Sequence, residues 1–248
     1  MSRWIFQQKG LSLVELMVAM LITSFLILGV TQVYLDNKRT YLAQHGHADT
    51  QDNSRFALYA IEQLLLKTGY KTLPQDSREI AFPYQAAGSG CPAFQAGQTV
   101  LPTASGKGVC IRYQHSSNNE KDCLGATIDT SNAIVTRLEL DTKTNELQCA
   151  AQGATAQTLV SDVVDIRFSF GIDTNDDRLA ESYATDPDTN ASLVSVRTAL
   201  LQGSASNSIA LAKQVYHFPL SASATTTAPD TRLYRSAQTT VTLRNIAQ

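Results

Sequence analysis

Few residues in this 248-residue chain have the types and spacing to do chemistry. Asp173-Thr174-Asn175-Asp176-Asp177 sets side-chain oxygens at alternate positions, the spacing with which a short loop wraps a calcium ion. Asp173, Asn175 and Asp177 would be the ligands, with Glu181 at the ninth place as a further one. A complete calcium loop wants glycine at the sixth place and glutamate at the twelfth, and Arg178 and Ala184 stand there. The plainer reading is a polar turn in which Asp and Asn side chains cap their own backbone. Cys91, Cys110, Cys123 and Cys149 could pair or bind metal. No two are spaced C-x₂-C, which argues against zinc, and an exported domain would oxidise them to two disulfides. Three pairings are possible. Cys91 with Cys110 and Cys123 with Cys149 are preferred because they close two local loops.

No G-x-S-x-G elbow, H-E-x-x-H helix or P-loop occurs, and the four histidines are scattered. His45 and His47 are two residues apart and so point to different faces of a helix. The composition adds no pull toward nucleic acid, because Lys and Arg nearly balance Asp and Glu at a formal charge of −2. No catalytic set emerges, and the chain is expected not to be an enzyme and to need no cofactor beyond the calcium alternative.

The elements that must position these residues fall into two unlike parts. All seven prolines, from Pro74 to Pro229, lie in the later part, while the one long apolar run lies between Leu11 and Val30. Twenty helical residues span about 30 Å, the thickness of a bilayer's hydrocarbon core. No small-x-small cleavage site follows Val30, which argues against an ordinary secretory signal. Glu15 interrupts the run, and a carboxylate costs about 2.5 kcal/mol or more at the centre of a membrane helix, less near its end. It either reaches toward headgroups or awaits a positive partner.

Without proline from Leu11 to Leu73, one helix of about 55 to 58 residues is possible, with Gly46 as its softest point. Ala57, Leu58, Ile61, Leu64 and Leu65 form an apolar stripe that should pack on a sheet. Gly69 suits a C-terminal cap, and Pro74 forbids continuation. Arg55 reads as a surface charge and Phe56 as a core side chain. Beyond Pro74 the pattern alternates. Ile134, Thr136, Leu138 and Leu140 share one face of a strand, with Leu147 to Ala150 as its hairpin partner. Val164, Ile166, Phe168 and Phe170 share one face of another strand. Further strands are predicted at Val109 to Gln114, Leu193 to Leu201 and Thr239 to Arg244, and a flexible loop at Ser221 to Pro229. One long helix followed by strands predicts an α+β fold with an antiparallel sheet.

The run from Lys9 through Gly10, Leu11, Ser12 and Glu15 to Met20 resembles the type III signal sequence of type IV pilins and type II secretion pseudopilins. The resemblance implies a type IV pilin-like fold and cleavage by a prepilin peptidase after Gly10. Leu11 becomes the methylated first residue, although the family usually has Phe there, and Glu15 becomes the fifth. It also implies that the new amine pairs with Glu15 of a staggered neighbour, a register device for helices in a filament. Cleavage would remove Arg3, Lys9 and the single tryptophan, Trp4, and shift the formal charge from −2 to −4.

Asp52-Asn53-Ser54-Arg55-Phe56-Ala57-Leu58, the later Thr68-Gly69-Tyr70, and the closing Thr239 to Asn245 resemble minor pilins of the PilW type. Implied are residues 1–10 as leader, 11–70 as the N-terminal helix (11–34 in membrane or filament core, 35–70 on the head), and 71–248 as a β-rich periplasmic head. Also implied are residence in the bacterial inner membrane and then in the pilus or its tip, with other minor pilins, the major pilin and prepilin peptidase as partners. The rivals are a minor pseudopilin of a type II secretion system and a periplasmic enzyme held by an uncleaved anchor.

Overall fold

The computed structural model describes residues 12–246 except 118, 129–131, 152, 190, 208 and 211. Gly10 and Leu11, and with them the processing site, lie outside the described residues, as does Trp4. Residues up to His45 and residues from Gly46 onward form two compact units, and each is described by itself.

Helix α1 runs Leu13–Lys67. Its first ladder bond, from Leu16 N–H to Ser12 O at 3.1 Å, opens it directly after a serine. From Leu13 to Leu42 every residue is exposed, including Leu13, Met17, Phe25 and Leu28. This is the described helix long and apolar enough to cross a membrane. Thr23 and Ser24 spend their hydroxyls on the carbonyls of Ala19 and Leu21 at 2.8 and 2.7 Å, so neither adds an unpaired polar group to the apolar surface.

From Gly46 onward α1 buries one row: Gly46, Thr50, Ser54, Ala57, Ile61, Leu64 and Leu65. The stripe therefore begins earlier than its apolar members suggest. Thr50 donates to Gly46 O, and Ser54 to Thr50 O at 2.6 Å, so both hydroxyls are satisfied inside the helix and can face the core. Gly46 is not a break. A Cβ there would lie 2.9 Å from Ile209 Cδ1 and 3.2 Å from Leu233 Cδ1, so the missing side chain admits those two residues. Phe56 is 55% exposed, against the core position expected for it. Two residues past Ser54 is about 200° around a helix, which turns Phe56 away from the buried row.

Gly69, at φ +74°, ends the helix in the left-handed conformation glycine tolerates. Its N–H donates to Arg112 O at 2.9 Å, and Tyr70 N–H returns to Lys67 O at 3.0 Å. Asn245, at the other end of the chain, donates its side-chain amide to Leu66 O and Thr68 O at 3.0 and 3.2 Å. A short helix, α2, follows at Arg78–Ala81, with the Ser77 side chain accepting from Ile80 N–H.

Five strands, β1 (Val100–Pro102), β2 (Gly108–Tyr113), β3 (Ile134–Asp141), β4 (Glu146–Ala151) and β5 (Gln157–Val160), pair antiparallel in chain order. β6 (Val163–Asp173), β7 (Ser182–Ala184), β8 (Ser192–Gly203) and β11 (Tyr234–Thr242) form a second antiparallel sheet in the order β11-β8-β6-β7. Between β8 and β11, β9 (Val215–Tyr216) and β10 (Thr226–Thr227) make a small ribbon. The Ser221 to Pro229 segment, expected to be a flexible loop, thus contains a strand and the fully buried Ala228.

The main core joins both sheets to α1. Ile61 and Leu65 meet Ile111, Leu138 and Leu147 of the first sheet and Ile166, Phe170 and Leu200 of the second. Val164 departs from the stripe predicted for its strand. A register shift between Val163 and Asp165 puts Val163 into the core and turns Val164 toward Leu201 and Tyr234 on the opposite face. β11 begins at Tyr234, five residues before the predicted start, and stops at Thr242 rather than Arg244. Its early residues Arg235-Ser236-Ala237-Gln238 carry no apolar alternation, because none of them is fully buried on either face of the sheet. β1, β5 and β7 are too short, at three or four residues, to show a period at all.

Candidate functional site

Glu15 sits in the first turn of α1 within the fully exposed apolar stretch. It has no hydrogen-bonded partner among the described residues. The carboxylate is therefore available to a positive group on a neighbouring helix, and that neighbour would have to desolvate it as a pair.

In the helical signature, Ser54 and Ala57 are buried while Asp52, Arg55, Phe56 and Tyr59 are exposed. The segment thus serves two faces: small residues let the helix settle on the head, and the larger ones remain available outside. Gly69 and Tyr70 form the cap already described. Tyr41 and His45 are ring neighbours at 4.4 Å on the exposed side of α1, and His47 is also exposed.

The disulfides join Cys91 to Cys110 and Cys123 to Cys149. The first ties the 82–98 loop to β2, and the second ties the segment before β3 to β4. Next to the first lies Arg112, a guanidinium with 1% exposure in the middle of an otherwise apolar strand. Its Nη atoms donate to Gln98 O at 3.2 Å and Pro83 O at 2.8 Å. The rings of Phe82 and Phe94 lie 5.6 and 5.2 Å away. No carboxylate pairs with it among the described residues, and burial pushes its pKa down to about 10. Sequence reasoning missed this residue, although a lone arginine within Val109-Cys110-Ile111-Arg112-Tyr113 is a visible signal. Its partners are backbone carbonyls and ring faces, so it pins a loop and presents nothing to a substrate.

The Asp173 loop follows β6. Asp173 Oδ1 accepts from the N–H groups of Asn175 and Asp176 at 3.1 and 2.7 Å, and Oδ2 accepts from Arg178 N–H at 2.8 Å. Burial works to raise the Asp173 carboxyl, but these donors outweigh it and hold the group below the usual carboxylate range. Asn175 turns its amide nitrogen toward Asp177 Oδ2 at 3.2 Å, while its oxygen accepts from Asp177 N–H. Glu181 Oε2 accepts from Thr174 N–H at 2.7 Å. Carboxylate oxygens of Asp173, Asp177 and Glu181 come within 4.8 Å of one another, the metal-ligand cluster found among the described residues. Arg178, at the sixth place, takes φ +68°, the conformation for which a calcium loop ordinarily uses glycine. The donor set would fit a hard cation in number and chemistry, yet Asp173 already accepts three N–H groups of its own backbone, as in a self-capped turn.

A family model described as type IV pilus-assembly protein W matches residues 127–245, from just before β3 to Asn245. A second, described as the prokaryotic N-terminal methylation motif, matches residues 5–31. Among solved structures, the chain is similar to a type IV-like pilin from Thermus thermophilus, at 12% identity and a TM-score of 0.49 over 80% of this chain and 98% of that one. No curated protein matches the chain.

Proposed function

We propose that this chain is a type IV pilus minor pilin of the PilW type and takes part in pilus assembly from the priming complex at the filament tip. The carrying observation is the conjunction of a methylation-type N-terminus over residues 5–31 with a W-type region over residues 127–245 in one chain. Prepilin peptidase cuts after Gly10, Leu11 becomes the methylated N-terminus, and residues 11–34 move from the inner membrane into the filament core. The carboxylate of Glu15 then pairs with the terminal amine of a neighbouring subunit. That pairing is worth most where water is excluded, which fixes the stagger between helices.

The head, from residue 71 onward, faces the periplasm, where its disulfides form, and it presents surfaces to other minor pilins and to the major pilin. Its work is assembly without turnover. No cofactor is needed for that work, and calcium at Asp173, Asn175 and Asp177 is the one candidate ion. The test is the intact mass of the protein purified from a peptidase-competent host. Loss of residues 1–10, and with them Trp4 and all tryptophan fluorescence, is expected; a retained Trp4 overturns the reading.

A further inference from the structure

β11 pairs with β8 on one side and with no strand on the other. In an antiparallel pair, alternate residues direct N–H and C=O to the partner, and those between direct them outward. Two contacts fix the parity here. Leu243, just past the end of β11, donates its N–H to Val194 O on the β8 side at 2.8 Å. Tyr234 directs both groups away from β8: its N–H donates to Gln214 Oε1 at 2.8 Å, and its C=O accepts from Gln214 Nε2 at 2.7 Å. The register between them runs without a shift. Odd-numbered residues therefore bond β8, and Ser236, Gln238 and Thr240 face outward. None of these three backbones has a partner on that side among the described residues. The Gln214 amide, with one donor and one acceptor, fills the first rung as the peptide group of an added strand would.

The other sheet edges are blunted. β1 has three residues and ends in Pro102, β5 has four and is interrupted by a bulge in its pairing with β4, and β7 has three. β11 has nine residues and neither proline nor lysine. A long edge without such protection attracts foreign strands unless one belongs there. Beside it α1 and β11 enclose an open groove of about 650 Å³, floored by Phe56 and Tyr59, whose lining also holds two carboxylates, Asp52 and Glu62, against one guanidinium, Arg55. Neither carboxylate forms an ion pair among the described residues.

We infer that the outer edge of β11 at Ser236, Gln238 and Thr240 is a strand-addition site for an extended segment of a different pilus subunit. This rests on the pilus reading above. The added strand supplies main-chain hydrogen bonds to three rungs, an apolar side chain for the Phe56–Tyr59 floor, and a basic side chain within reach of Asp52 or Glu62. A second copy of this chain is the rival occupant, and the crosslinks below tell the two apart.

The test uses the full chain in its native pilus-producing host, with a photo-crosslinking residue at Gln238 or, separately, at Val30 of the apolar helix. An adduct at Gln238 to an extended segment of another pilus subunit is expected. Gln238→Pro and Thr240→Pro remove only outward N–H groups. Each should keep the melting temperature within a few degrees while lowering incorporation into sheared pili about tenfold. Thr239→Pro removes an N–H bonded to β8 and should unfold the head. Adducts at Val30 without any at Gln238, a Gln238 adduct to a second copy, or normal incorporation of both folded proline variants would overturn strand addition and leave the pilus reading standing. Absence of this chain from pili, with no pilus subunit crosslinked at Val30, would overturn that reading and this inference together.

Discussion

Asn245 holds the end of α1: its side-chain amide spans the carbonyls of Leu66 at 3.0 Å and Thr68 at 3.2 Å. Helix C-termini leave their last carbonyls unpaired, and here a residue 179 positions away supplies the donor for one of them. Asn245→Ala should cost about 1 kcal/mol, the net value of a typical intramolecular hydrogen bond. Asn245→Asp should cost more, because it sets a carboxylate against carbonyl oxygens. Thermal unfolding of both variants checks the order.

Arg112 keeps the 82–98 loop on β2 through two carbonyls and two rings. Arg112→Met fills similar volume but leaves Pro83 O and Gln98 O unpaired, an expected loss of about 1–3 kcal/mol. Arg112→Lys should recover only part of it, since an ammonium cannot span two carbonyls as a planar fork does. The pH dependence has a definite sign. Burial lowers the folded-state pKa of Arg112 to about 10, below that of the unfolded chain. Above that value the unfolded state binds more protons, so this residue's contribution to stability rises with pH. Comparing wild type with Arg112→Met between pH 9 and 11 isolates the effect.

Asp173 gives a slope of the same sign, but in the acid range. Its carboxyl is held below the usual range against the pull of burial, so its stabilisation is present above the unfolded-state pKa and is lost as pH falls through the folded value. Asp173→Ala should lower the melting temperature at pH 7 and flatten the acid limb of the stability curve. Because three backbone donors already compete for the Asp173 oxygens, calorimetry with calcium should give no heat, and chelation no thermal shift. A calcium-dependent shift abolished by Asp177→Ala would assign the ion instead.

The two disulfides close stretches of 19 and 26 residues. In the chain-entropy model each is worth about 3 kcal/mol. Cys91→Ala with Cys110→Ala, and separately Cys123→Ala with Cys149→Ala, should each lower stability by that order. Equilibrium denaturation of the two double variants measures it.

Glu15→Ala should leave membrane insertion unchanged and weaken incorporation into the filament. Recovery of the variant in sheared pili at the wild-type level would contradict the register role.

What the sequence disclosed follows from the range of the interactions involved. α1 was legible because proline is missing from 63 residues and the Ala57 to Leu65 stripe repeats at helical spacing. β3 and β6 were legible because each buries one face. β2 shows no alternation, since all six of its residues are buried, and only its arginine hints at something unusual. Phe56 was misplaced because an aromatic near an apolar stripe reads as core until the phase set by Gly46, Thr50 and Ser54 is known. Thr50 and Ser54 look like surface, and they become core only because their hydroxyls bond within the helix. In the calcium-like loop the spacing of oxygens was plain, whereas the backbone N–H groups that already satisfy Asp173 depend on dihedral angles that spacing does not encode. Asn245 and Gln214 were invisible for the same reason: each serves a backbone group brought to it by the fold.

The clamp between Asn245 and the end of α1 also orders events in time. The helix is synthesised before β11 and Asn245, so the side-chain bonds to its final turn form only after that strand has been made. A head cut short before β11 would lose that clamp together with Val241, Leu243 and Ile246, which share a core with Ile61 and Leu65, and so would uncover part of the apolar row of α1.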